Sequence, residues 1–118
     1  NQHCNAISIG QYAGQNEQGR RAIAIGENAG RFYQNPYAVS VGSFAGETSQ
    51  QEYSVALGYQ SRITRSNQIK LGRASEYVHI PGDLWVDGST NIGGNLVVNG
   101  TLNEALNAYH QDSGVFDD

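Results

Sequence analysis

The chain has 118 residues, 38% hydrophobic and 15% charged, with 15 glycines, no methionine, one cysteine and a net charge of −4. That length fits one or two small domains, and a mean hydropathy of −0.50 is low for a compact enzyme core. The lone Cys4 excludes an intrachain disulfide, no apolar run of roughly 18 residues offers a membrane span, and the missing signal peptide and initiator Met suggest a fragment or processed chain.

The first element in chain order is a repeat. Ala6-Ile-Ser-Ile-Gly10, Ala22-Ile-Ala-Ile-Gly26, Ala38-Val-Ser-Val-Gly42 and Ser54-Val-Ala-Leu-Gly58 are copies of one motif, and Gln68-Ile-Lys-Leu-Gly72 is a weaker fifth copy. The closing glycines step by 16, 16, 16 and 14 residues, and three copies continue as Ala13-Gly14, Ala29-Gly30 and Ala45-Gly46. A fixed period of this length predicts stacked coils of a solenoid, each contributing one short strand. Strand side chains alternate between faces. The large set (Ile7/Ile9, Ile23/Ile25, Val39/Val41, Val55/Leu57, Ile69/Leu71) is expected to fill the coil. The small set (Ala6/Ser8, Ala22/Ala24, Ala38/Ser40, Ser54/Ala56) is expected to face a neighbouring subunit, because small side chains let backbones approach. The contact should open at Gln68 and Lys70.

A second repeat follows. From Val78 to Leu102 the even positions are apolar, Gly or Thr, the odd ones are mostly polar, and glycine recurs at 82, 88, 94 and 100. Alternation over this length far exceeds a typical strand of roughly 5–6 residues. A glycine every sixth residue supplies a regular bend, so the segment should wind with its even positions inward. One copy buries too little to hold itself together, and three copies wound about one axis would share a core of Ile80, Leu84, Val86, Ile92, Leu96, Val98 and Leu102. The left-handed β-helix of hexapeptide acyltransferases also has a six-residue period. It needs a small residue four positions after each aliphatic one, where this chain has Leu84, Thr90, Leu96 and Leu102. Next, Thr101-Leu-Asn-Glu104 has capping-box spacing, and Leu102, Leu106 and Tyr109 follow a helical period. A short C-terminal helix within 103–118 is predicted, marginal by itself, with a frayed tail.

The Ala-Ile-x-Ile-Gly-x-x-Ala-Gly copies resemble head repeats of trimeric autotransporter adhesins, and equally repeats in fibre proteins of phages and large DNA viruses. Ser66-Asn-Gln-Ile-Lys-Leu-Gly72 leading into the Val-x-x-Gly hexads is similar to the passage from viral fibre repeats into a trimeric β-helical stalk. The resemblance covers about residues 5–102. It implies a parallel β-roll, a homotrimer, and a place on a virion or cell surface. The 16-residue step is longer than the adhesin repeat, and no membrane-anchor barrel follows within the sequence.

Charge changes where the repeat changes. Residues 1–73 carry seven bases and four acids, whereas residues 74–118 carry seven acids and no base. A boundary near Arg73 follows, giving a β-roll head over 1–73, a trimeric β-helix over 74–102 and a helix with tail over 103–118. The basic half suits anionic sugars, lipopolysaccharide or a virion protein, or is simply a solvated mixed surface. Its bases are too dispersed for nucleic-acid binding.

Chemistry-bearing patterns are scarce. His3, His79 and His110 lack metal-ligand spacing, no nucleophile elbow or phosphate loop is present, and no cofactor is implied. The chain reads as a non-enzyme. The aromatics are more informative. Tyr12, Phe32, Tyr33, Tyr37, Phe44, Tyr53 and Tyr59 lie mostly in the turns between strands, and Arg31-Phe-Tyr-Gln-Asn-Pro-Tyr37 holds three of them. Flat apolar rings beside Asn, Gln and Arg suit a sugar-binding surface. The candidate ligand residues are Tyr12, Arg31, Phe32, Tyr33, Tyr37 and Phe44, with Trp85 at an outward hexad position. Tyr12, Asn28 and Phe44 should form one row up the rod, extended by Phe32, Tyr33 and Tyr37.

The sequence therefore predicts an all-β chain: a parallel β-solenoid, then an intertwined trimeric β-helix stalk and a short C-terminal helix. The predicted function is a trimeric fibre segment that attaches a virion or cell to a host-surface receptor, a glycan or a protein. The alternative is a passive trimeric spacer with no ligand of its own. Exposed, clustered aromatics favour attachment; aromatics stacked between coils favour the spacer.

Overall fold

The computed structural model describes residues 3–102, and the chain divides into two compact units, Asn1–Pro81 and Gly82–Asp118. The first unit is a parallel β-solenoid with one three-residue strand per coil: β1 (Ile7–Ile9), β2 (Ile23–Ile25), β3 (Val39–Val41), β4 (Val55–Leu57) and β5 (Ile69–Leu71). All five lie in one sheet in sequence order. Their register follows the repeat, Ile7 opposite Ile23, Ile23 opposite Val39, Val39 opposite Val55 and Val55 opposite Ile69. Parallel neighbours need a crossover between them, and here the rest of each coil supplies it. A second row runs up that return stretch, where Asn16 bridges Phe32 and Phe32 bridges Thr48. The row stops at Thr48 because the last coil is two residues shorter than the others.

The turns are bonded coil to coil as regularly as the strands. Gly26, Gly42, Gly58 and Gly72 donate their amides to Ile9, Ile25, Val41 and Leu57 carbonyls at 2.7–2.9 Å. Across the coil, Gly14, Gly30 and Gly46 donate to Ala29, Ala45 and Ser61 at 2.8–2.9 Å. Backbone polar groups removed from water require such partners. The closing glycine is where a side chain would do most harm. Gly42 has φ of +125° and a Cβ there would sit 2.8 Å from the Gly58 carbonyl carbon of the next coil. Gly42→Ala is therefore expected to combine backbone strain of about 1–3 kcal/mol with a forced opening of the coil spacing. At about 4–8 °C per kcal/mol for a domain of this size, its melting temperature should fall by about 10 °C or more. A melt within a few degrees of wild type would show that the glycine row is not a spacing constraint.

The two strand faces are reversed from the sequence expectation. Ala24, Ser40 and Ala56 are fully buried and point into the coil, whereas Ile9 is 58% and Leu71 52% exposed. The aliphatic residues form the outer ridge, and the small residues do not form an outward contact face. The cause is the thinness of the interior. A Cβ added to Gly14 would lie 2.4 Å from Ser8 Oγ, and one added to Gly46 would lie 3.2 Å from Ser40 Cβ. The return stretch thus packs directly against the small side chains of the strands, and an Ile between them has no room. The buried apolar clusters are Ala13, Ala24 and Ala29, then Ala45, Ala56 and Ile63.

What fills the remaining space is polar. Gln18, Gln34 and Gln50 are the largest fully buried side chains, one per coil at the 16-residue step. Gln18 Nε2 donates to Gln34 Oε1 at 3.0 Å and Gln34 Nε2 to Gln50 Oε1 at 3.0 Å. The same amides donate to the strand carbonyls of Ile7, Ile23 and Val39 at 2.7–2.8 Å. Ser8 Oγ donates to Gln18 Oε1 at 2.6 Å. A buried carboxamide with both ends paired meets the requirement that buried polar groups be bonded. In the shortened coil a buried Ile63 lies in the cluster with Ala45 and Ala56.

The described part of the second unit, residues 82–102, contains no helix or strand and all its residues are exposed. Bends fall at 81–82, 87–88, 93–94 and 99–100, the six-residue step of the glycines. No backbone hydrogen bond joins residues 77–102 to other described residues. The expected stalk core residues Ile80, Leu84, Val86, Ile92, Leu96, Val98 and Leu102 are all exposed within the single chain. The helix expected within 103–118 lies outside the described residues.

Candidate functional site

The aromatic rings sit on the turns at either end of each strand and on the return stretch. Many of these turn residues adopt the left-handed conformation although they are not glycine. Tyr12, Asn28, Phe44 and Gln60 have φ of 56–63°, and Arg21, Tyr37, Tyr53 and Asn67 have φ of 56–63° as well. Left-handed backbone is uncommon outside glycine, so its recurrence at these two coil positions marks a conformation imposed by the repeat. The amide of Asn28 donates to the Gln11 carbonyl and that of Phe44 to the Glu27 carbonyl, both at 2.8 Å. Tyr12, Asn28 and Phe44 therefore do form a row.

The expected single patch is divided into three clusters, each holding one arginine. In the first, the Arg31 guanidinium lies 4.4 Å from the Tyr12 ring centre and 4.7 Å from that of Phe32, and its Nε donates to Gln15 Oε1 at 2.7 Å. In the second, Tyr37 stacks on Tyr53 one coil away, with centroids 5.0 Å apart and planes 6° from parallel. Arg20 lies 5.9 Å from the Tyr37 ring centre. In the third, Phe44 meets Tyr59 edge to face at 6.1 Å, and Arg73 lies 5.0 Å from the Tyr59 centre. Tyr37 precedes β3 and Phe44 follows it, so the two belong to opposite ends of the strand. Tyr33 stands 59% exposed. Trp85 belongs to the second unit, is 85% exposed, and donates from Nε1 to the Asp87 carboxylate.

Sequence reasoning missed Arg20, Tyr53, Tyr59 and Arg73 as members of these clusters. The signal for one pairing was available, since Tyr37 and Tyr53 are 16 residues apart. The Arg73 cluster falls where the step shortens, and constant-period arithmetic does not reach it.

Arg73 closes the solenoid end. It donates to both Glu76 carboxylate oxygens at 3.0–3.2 Å and to Gln60 Oε1 at 3.1 Å. The hydrogen bond from Arg73 holds the Glu76 carboxyl below its ordinary range, and the same bond raises the guanidinium in turn. The pair is open to solvent, so it orients the two side chains more than it stabilises the fold. A cleft of about 340 Å³ opens beside it, lined by Phe44, Glu47, Gln60, Arg62 and Arg73. Asn28, nearly buried, donates from Nδ2 to Glu47 Oε2 at 3.2 Å. Among the described residues there is no group of His, Cys, Asp and Glu able to hold a metal ion.

Compared with known proteins, the chain matches no family model, no curated protein and no solved structure.

Proposed function

We propose that this chain is a segment of a homotrimeric fibre on a virion or cell surface, and that it attaches its bearer to carbohydrate on a host surface. One observation carries the reading: the aliphatic surface the chain leaves uncovered. The ridge along β1–β5 presents Ile7, Ile9, Val41, Leu57, Ile69 and Leu71 to solvent, with Ile23 and Ile25 of β2 half-buried among them, on one regular parallel sheet. The hexad segment exposes a second apolar series with no backbone hydrogen bonds to other described residues. Contiguous exposed apolar surface of this kind marks an interaction site. Identical copies related by rotation would cover each series with its own equivalent, with no second protein required. In this reading the ridge supplies the subunit contact in the solenoid, and the even positions supply the stalk core.

Attachment rests on the arginine–aromatic clusters and on the basic balance of the solenoid half. The spacer reading has its own support. Tyr37 and Tyr53 stack between coils, and Arg31 already occupies the faces of Tyr12 and Phe32. The first test is oligomeric state. Light scattering coupled to size exclusion should return about three times 12.7 kDa, and a monomeric mass at micromolar concentration would remove the fibre reading. Ile92→Asp should abolish assembly because it places a charge at an inward stalk position, whereas Asn91→Asp should assemble normally. Equal behaviour of the two variants would mean that the stalk register is wrong. A glycan array probed with the purified trimer separates attachment from spacing.

A further inference from the structure

We propose that the notch formed by Phe44, Glu47, Gln60, Arg62 and Arg73 is the carbohydrate subsite of this chain, and that it takes a sugar ring bearing one carboxylate. The proposal rests on the carbohydrate-attachment reading and deepens it by naming a place and a ligand class.

The notch exists because of the shortened coil. Asn16, Phe32 and Thr48 build the outer row of the return stretch, and no residue continues it past Thr48. The last coil cuts across this corner two residues early, and a cleft of about 340 Å³ is left beside the step. That size is at the lower end of small-ligand sites, roughly 300–1,000 Å³, and suits one ring with its substituents. The regular coils have no such step, and the rings of Tyr12, Phe32, Tyr37 and Tyr53 there already meet Arg31 or a neighbouring ring.

The lining sets the ligand chemistry. Arg73 is neutralised by Glu76, and one oxygen of Glu47 accepts from Asn28. Arg62 is exposed and has no carboxylate within ion-pair distance among the described residues. It is the guanidinium in the notch available for a carboxylate, with which it forms a planar, two-pronged pair. The second Glu47 oxygen and the Gln60 amide suit ring hydroxyls, as acceptor and as donor. Phe44 offers carbon surface to the C–H face of the ring. Arg62 and Glu47 are the charged groups of the notch left without an ion-pair partner among the described residues, so a sugar acid that turns its carboxylate to Arg62 and its hydroxyls to Glu47 fits better than a bare anion, which Glu47 would repel. An open site of this kind binds weakly one at a time, and three copies on a trimer gain by avidity, by roughly 10²–10⁴.

The test uses the purified full chain with 3′-sialyllactose and a hyaluronan hexasaccharide, each against its neutral counterpart, lactose and chitohexaose. Binding is read by ligand-observed NMR and by biolayer interferometry on surface-coupled glycans. The acidic probes should bind at least tenfold more tightly than the neutral ones. Arg62→Ala should lose that advantage with an unchanged circular dichroism spectrum, and Arg62→Lys should keep part of it. Arg65→Ala, at an exposed arginine outside the notch, should bind as wild type. If Arg62→Ala binds acidic probes as wild type does, the notch is not the site. If that occurs while a variant combining Tyr33→Ala with Tyr37→Ala loses binding, the attachment reading survives at the other cluster. Equal binding of acidic and neutral probes overturns the ligand class, and no binding across a full glycan array overturns the notch and the attachment reading together.

Discussion

Gln34→Glu is expected to abolish the cooperative unfolding transition at pH 7.5 and to restore part of it near pH 4.5. The substitution changes one NH₂ to an oxygen at the middle rung of the buried ladder. In the native chain that NH₂ donates to the Ile23 carbonyl at 2.8 Å and to Gln50 Oε1 at 3.0 Å. A carboxylate there faces those two acceptors and the Ser40 hydroxyl 3.1 Å away, and no cation, in a side chain only 1% exposed. Leaving a buried charge without a partner typically costs about 3–5 kcal/mol, against a total stability of about 5–15 kcal/mol for an ordinary domain. The carboxyl would escape by taking a proton, so its folded pKa lies above the unfolded value of about 4.3. The sign follows from proton counting. Between the two values the folded state binds more protons than the unfolded, so stability falls as pH rises through that window and is regained on acidification. Gln34→Leu removes the titration and leaves Gln50 Oε1 unpaired, at about 1–3 kcal/mol, while the Ile23 carbonyl keeps the Ser40 hydroxyl, with no comparable pH dependence. Thermal melts of both variants at one protein concentration, at pH 4.5 and 7.5, distinguish the cases. A Glu variant whose melting temperature is the same at both pH values would mean that the rung is hydrated.

The strands, their parallel order and their register were legible in the sequence, because the repeat Ile7, Ile23, Val39, Val55, Ile69 is itself the pairing scheme. The closing glycines were legible for the same reason. The direction of the faces was not. Placing the large residues inside assumes that a chain buries its own hydrophobic side chains, and a coil whose walls touch across Ser8, Gly14 and Gln18 has no room for them. The glutamine ladder was visible as Gln18, Gln34 and Gln50 at constant spacing. It escaped notice because an isolated glutamine is ordinarily solvent-facing, and only the packing shows that three such side chains satisfy one another. The arginines were harder still. Arg31 reaches Gln15 and two rings, and Arg73 reaches Gln60, Tyr59 and Glu76, through side-chain conformations that no spacing rule encodes.

The reversed faces give the sharpest test of the assembly, since adjacent residues on one strand should fail in different ways. Val41 lies on the outer ridge and Ser40 is fully buried between Ala24 and Ala56 on the neighbouring strands. Val41→Asp places its carboxylate in water as long as the chain is alone, so the coil itself should be little affected. In a trimer the same carboxylate is repeated three times against aliphatic neighbours, with desolvation and like-charge repulsion both opposing assembly. A few kcal/mol per copy weakens association by several powers of ten. The expected result is a monomer by light scattering at micromolar concentration that retains the circular dichroism of the wild-type strands. Ser40→Asp puts the charge inside the coil, where the Ser40 hydroxyl lies 3.1 Å from Gln34 Nε2 and the added volume meets Gly46. That variant should lose the strand signal altogether and be recovered mainly as aggregate. If Val41→Asp stays trimeric, the ridge is not the subunit contact and some other surface must close the fibre. If it unfolds along with Ser40→Asp, the coil depends on its partners to exist, and folding and assembly are a single concentration-dependent step.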